Sequence, residues 1–131
     1  MMLVKVTVKG ERDTTPFIHT FFYADESDEE LFHNSVNMIK EKLDKNLKIN
    51  INESLVIYTS YVVDKLRANE TIGVIKENAR RILAPDKVMI GVPESLRKVV
   101  FEVEIDRLPK KHITLKEPIT TSNYILASKS S

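Results

Sequence analysis

The side chains able to do chemistry are few and scattered. The chain carries three histidines, His19, His33 and His112, and no cysteine. Spacings such as H-x-x-H, H-E-x-x-H or H-x-H put two imidazoles on one face within reach of one metal, and none of them occurs. Each histidine therefore reads as structural or solvated. Without cysteine there is no thiolate nucleophile, no disulfide and no Cys-ligated zinc or iron–sulfur site. No G-x-S-x-G elbow is present, and three glycines are too few for a phosphate-cradling loop. Asp28, Glu29 and Glu30 sit where a helix begins, a place that acidic side chains occupy for electrostatic reasons alone. Glu102 and Glu104 share one strand face about 7 Å apart, which would suit paired carboxylates but is also the routine outer face of a strand. Lys76, Arg80 and Arg81, interrupted by Glu77, read as a solvated face or a subunit contact rather than a phosphate track. The expectation is a chain that is not self-sufficient as a catalyst.

Composition narrows the classes further. With 131 residues, 42% hydrophobic, the chain suits one compact domain with a real core. Lys and Arg total 20 against 19 Asp and Glu, a net charge of +1, so bulk capture of nucleic acid or anionic membrane is not expected. No window approaches the ~20 apolar residues of a membrane span. The opening MMLVKVTVKGE is apolar only at alternate positions, unlike a secretory leader. A cytoplasmic location is expected.

The elements that must hold these side chains are strands at the ends and helices between. Val4, Val6 and Val8 alternate with Lys5, Thr7 and Lys9, and Phe17–Tyr23 is β-branched and aromatic, so residues 1–26 read as a β-hairpin. Ser27 and Glu30 have capping-box spacing, and Phe32, Val36, Ile39 and Leu43 continue a helix over about 28–45, with Asn46 as a left-handed stop. Asn50 and Glu53 open a second helix through Leu66, covered on most sides. Thr71 caps a third, with Ile72, Ile75, Ala79 and Ile82 inward. Pro85 opens a short turn carrying Val88 and Met89, Gly91 closes it, and Pro93 prevents continuation. Val99, Phe101, Val103 and Ile105, then Ile113 and Leu115, alternate as a second hairpin. The fold class is α+β: three longer helices plus a short one, a C-terminal β-hairpin, and an added N-terminal hairpin extending it into a four-stranded sheet. Residues 1–119 form a single domain, and 120–131 a polar tail expected to be partly disordered.

The order of these features resembles the gamma subunit of urease. The resemblance runs from about Leu31 to Ile119. It is carried by Leu47-Lys48-Ile49-Asn50, by Val88-Met89-Ile90-Gly91-Val92-Pro93-Glu94 (similar to the family's V-M-x-G-V-P-E), by the Val99–Ile105 strand and by the closing Glu117-Pro118-Ile119. It implies a non-catalytic structural subunit. The family's large alpha chain holds the nickel ions that activate water against urea, giving ammonia and carbamate, and alpha, beta and gamma chains assemble as a trimer of heterotrimers. Nickel then belongs to the partner, and Met89, Gly91, Val92, Pro93 and Glu94 would form a rigid turn contacting another subunit.

Several positions depart from the family. The first 26 residues have no counterpart in it. Family glycines fall at Asn46, Asn69 and Ala79, small residues of its second helix are replaced by Tyr58, Tyr61 and Val62, and its usual His before Glu117 is Lys116. The alternative reading is a free-standing gamma-like module that binds a protein partner or self-associates as a homo-oligomer, without urease activity. A small independent enzyme would need the histidines to converge with a carboxylate.

Overall fold

The computed structural model describes residues 1–12 and 15–120. The expected polar tail therefore lies almost wholly outside the described residues, as do two residues of the first hairpin loop.

Alternation decides the sheet. Strand β1 (Met2–Lys9) buries Met2, Val4, Val6 and Val8, and β3 (Lys98–Ile105) buries Val99, Phe101, Val103 and Ile105. Strands β2 (Phe17–Tyr23) and β4 (Lys111–Lys116) pair outside them, giving one antiparallel four-stranded sheet in the order β2-β1-β3-β4. The N-terminal hairpin thus joins the C-terminal one through β1 and β3, with Val4 opposite Val103 and Val6 opposite Phe101. Period two places every inward residue of the two central strands on one face, and the helices cover that face.

Helix α1 (Glu26–Asp44) begins two residues earlier than the sequence pattern predicts. Its N-cap is Asp25 rather than Ser27. The Asp25 Oδ1 accepts from the Asp28 N–H at 3.0 Å, while Asp28 Oδ2 accepts from the Ala24 N–H at 3.0 Å. An aspartate three residues before another acid does the reciprocal capping expected of Ser27 and Glu30. Helix α2 (Ile51–Arg67) starts with the expected box: Glu53 N–H donates to Asn50 Oδ1 at 2.8 Å, and Asn50 N–H to Glu53 Oε1 at 3.1 Å. Both helices end alike. Asn46 (φ 59°) and Asn69 (φ 58°) take the left-handed conformation. The N–H of Leu47 then donates to the Lys42 carbonyl, and that of Glu70 to the Lys65 carbonyl. These are Schellman closures, and they give a conformational reason for asparagine at both positions.

Helix α2 is the centre of the helical layer. Leu55, Ile57, Tyr58, Tyr61, Val62 and Val63 are all buried in one cluster with the inner sheet face. The two tyrosines fill space toward neighbouring segments. Tyr61 Oη donates to the Ile75 carbonyl on α3 (Ile72–Ala79) at 2.6 Å, and Tyr58 Oη reaches the Pro118 carbonyl at 3.4 Å. Burial pushes the hydroxyls of both tyrosines above their ordinary pKa. The α3 stripe differs from expectation: Ile75 and Ala79 are buried, but Ile72 is exposed and Ile82 only half-buried. The helix stops at Ala79, and the turns that follow carry Leu83 rather than Ile82 into the core.

Candidate subunit interface

Chemistry-bearing side chains do not converge. His19 sits on β2 on the helix-covered side of the sheet, between Phe17 and Phe21, with ring centroids 6.3 and 4.5 Å away. His112 sits on β4, at the opposite edge and on the opposite face, with Nδ1 3.6 Å from Glu102. His33 is exposed on α1. The register fixes this separation: His19 stands opposite Val6 in the inward row, whereas His112 stands opposite Glu102 in the outward one. Among the described residues no group of three His, Asp or Glu side chains could hold a metal ion. The outer carboxylates are engaged in ion pairs, Glu102 with Lys5 across the strands at 3.8 Å and Glu104 with Lys110, just before β4, at 3.5 Å. Asp28 caps α1 and Glu29 pairs with Arg67. Arg81 donates to Asn78 Oδ1 at 3.0 Å, while Lys76 and Arg80 line a shallow hollow beside β4.

The remaining candidate is the turn from Val88 to Glu94, and its neighbours pin it from three sides. Val88 is extended rather than part of the preceding turn, and it forms a parallel bridge with Ile49. Ile49 N–H donates to the Lys87 carbonyl at 3.1 Å, and Met89 N–H returns to the Ile49 carbonyl at 2.9 Å. Both quoted motifs of the sequence, Leu47–Asn50 and Val88–Glu94, are thereby one structural unit. Gly91 then takes φ 93°, a conformation that side chains resist. Behind it the chain re-enters helix as α4 (Val92–Ser95), with Pro93 in its first turn. The turn opened by Pro85 does not run on through Pro93, but a separate short helix starts around it, because a first-turn proline lacks only an N–H that has no intrahelical acceptor anyway. Ser95 N–H and Oγ both donate to the Gly91 carbonyl, at 3.1 and 2.9 Å.

The predicted contact residues divide into two roles. Val92 is only 3% exposed and anchors the turn in the core. Gly91 and Pro93 are half-buried and set the backbone path, while Met89 and Glu94 face solvent. Ile90, unremarked in sequence because it fills the variable place of the motif, is fully exposed at the tip.

The N-terminal hairpin reaches this unit. Glu11 N–H donates to the Glu94 carbonyl at 2.9 Å, and a groove of about 590 Å³ opens between Glu11, Arg12, Lys48 and the turn. Arg97 ties the parts together, bonding Glu117 at 2.9 Å and Glu11 at 3.3 Å. Glu11 and Glu117 hold its guanidinium still more firmly in the charged form. No local pattern in the sequence signals this clamp, because its three members come from distant segments.

Comparisons with known proteins point the same way. A family model described as urease, gamma subunit, matches residues 21–119. A urease subunit gamma of Halalkalibacterium halodurans is 29% identical over 82 residues, covering 63% of this chain and 81% of the relative. One from Saccharopolyspora erythraea is 28% identical over 94 residues, covering 72% and 93% respectively. A third, from Streptomyces coelicolor, is 25% identical over 89 residues, covering 68% and 88%.

Proposed function

Because this chain belongs to the urease gamma subunit family, we propose that it is the non-catalytic gamma subunit of a cytoplasmic, nickel-dependent urease. In this reading the chemistry, hydrolysis of urea to ammonia and carbamate, takes place on a separate alpha chain that holds the nickel. This chain supplies a shaped docking surface to the alpha and beta chains in a trimer of heterotrimers.

The observation that carries the reading is Ile90. A fully exposed isoleucine at the tip of a turn pinned by a β-bridge, a core valine and a left-handed glycine is a rigid apolar knob. Met89 beside it and Ile51 across the Leu47–Asn50 segment enlarge the apolar surface. Such a knob gains free energy when a partner buries it, and a pre-formed turn loses little entropy on binding. Met89, Ile90 and Glu94 make the contact, while Gly91, Val92 and Pro93 hold its shape. The test is co-expression of the tagged chain with the urease alpha and beta chains of its source. Recovery of a nickel-containing, urea-hydrolysing complex of three equal units supports the reading. Recovery of the chain without the alpha chain refutes it and leaves the free-standing module.

A further inference from the structure

Strand β2 is a sheet edge built unlike the other. Its sequence, Phe17-Ile18-His19-Thr20-Phe21-Phe22-Tyr23, contains no Asp, Glu, Lys, Arg or proline in a chain that is 30% charged. Among the described residues it pairs with β1 on one side only, so alternate N–H and C=O groups of the other side face outward. Phe17, Ile18 and Phe22 are 52%, 55% and 56% exposed. The opposite edge, β4, carries Lys111 and Lys116, whereas prolines stand just outside both edge strands, Pro16 directly before β2 and Pro109 and Pro118 beyond the ends of β4. Lysines and prolines are the usual means by which proteins prevent edge pairing, and β2 has none within it.

We propose that β2 is a homotypic docking edge: two copies of this chain pair through antiparallel β2 strands about a two-fold axis at Thr20, doubling the sheet.

The strand is complementary to itself in this register. Thr20 faces the partner's Thr20, small and uncharged, where any charged residue would repel its own copy. Ile18 faces the partner's Phe22 on the outer side, and each row continues inward, since Ile18 stands opposite Thr7 and Phe22 opposite Leu3. On the inner side Phe17 faces the partner's Tyr23, and His19 the partner's Phe21. The helices fit this arrangement as well. Phe32 of α1 packs on Phe21 and Tyr23, at 5.9 and 5.1 Å between ring centroids, so α1 covers one end of β2 and leaves Phe17 bare at the other. The two-fold sets each bare end beside the partner's covered end.

The occupant is a second copy rather than another urease chain. The family match begins at Phe21, so β1 and the first half of β2 lie outside what the relatives share. The exposed halves of Phe17, Ile18 and Phe22 amount to about 100 Å² each, or roughly 600 Å² of apolar surface per pair. That is about half the roughly 1,200 Å² at which specific interfaces begin, so the pair is weak and transient, forming only in the range of about a hundred micromolar or above. The inference goes beyond the urease reading and stands or falls separately from it.

The full chain tests it directly, because it lacks cysteine and one can be introduced for a single label. Thr20→Cys carrying pyrene reports the axis by excimer emission, and Lys116→Cys on β4 is the control. Sedimentation equilibrium from roughly 1 µM to several hundred µM gives the mass. The expected result is a monomer–dimer equilibrium, excimer emission at position 20 but not 116, and at least a tenfold weaker dimer for Ile18→Lys with an unchanged melting temperature. A monomer throughout the range overturns the proposal. So do growth beyond two copies, equal emission at both positions, or a dimer that Ile18→Lys leaves intact. A monomeric chain whose label at position 20 is shielded only by the urease alpha and beta chains also overturns it, and assigns the edge to them. Loss of urease assembly with the dimer retained would refute the docking role alone.

Discussion

Ile90→Ala separates docking from folding because the side chain touches almost nothing in the isolated chain. It is fully exposed, so its removal forfeits no buried surface, and the melting temperature should change by less than about 1 °C. If the turn seats this side chain in a partner, the bound state loses the transfer of an isoleucine side chain trimmed to alanine. Full burial of an isoleucine contributes about 1.5–3 kcal/mol, so the truncation should weaken binding by about 10- to 100-fold. Immobilised urease alpha–beta complex and a titration of wild-type and variant gamma chain by surface plasmon resonance would measure it, with the loss appearing mostly in the dissociation rate. Val92→Ala is the contrasting variant. Its side chain is 3% exposed, so the penalty falls on folding, about 1–3 kcal/mol, before any partner is added. Affinity of Ile90→Ala within threefold of wild type would show that the knob is not buried, and the docking argument built on it would be wrong.

The left-handed helix stops should each be worth a measurable amount: Asn46→Ala and Asn69→Ala are expected to cost about 1–2 kcal/mol apiece by urea denaturation, and the glycine variants to be neutral or stabilising. Glu53 joins α1 to α2, accepting from Lys42 Nζ at 2.6 Å while closing the α2 capping box, so Glu53→Ala should cost about 2 kcal/mol. Burial opposes ionisation of this carboxyl, but the hydrogen bond and charge of Lys42 together with the Asn50 N–H outweigh it and hold its pKa below the ordinary 4.5. Its ionic contribution is therefore complete above about pH 4.5 and fades as pH falls through the lower folded value, so wild type and variant should converge in acid melts. Tyr61→Phe leaves the Ile75 carbonyl without its buried donor and should cost about 1–2 kcal/mol, read from the same denaturation curves.

What was legible in the sequence was what local periodicity encodes. The alternation of Val4, Val6 and Val8 and of Val99 to Ile105 marks strands with one wet face, and the structure pairs those same valines across β1 and β3. The Asn50–Glu53 box and the Asn46 stop were equally readable, because each needs only residues within one turn. Where two local signals competed, reading was less exact: Asp25 and Ser27 can both cap a helix, and the aspartate wins by placing Asp28 within reach of the Ala24 N–H. The proposed docking turn was only half visible. Its turn could be found from Gly91 and the prolines, but the Ile49–Val88 bridge, the Arg97 clamp and the exposure of Ile90 depend on distant segments meeting.

The place of β1 in the middle of the sheet has a kinetic consequence. Strand β1 can pair on one side with β2 as soon as the hairpin has been made, but its other neighbour, β3, follows about a hundred residues later. Until then Met2, Val4, Val6 and Val8 form the apolar face of an isolated hairpin, a unit that is marginally stable in water. Contacts so far apart in the chain are slow to form, and cooperative folding must wait until residues near 105 have been made. The sheet is then completed by β3 and β4, so the two hairpins fold as one unit around a helical middle that can form early.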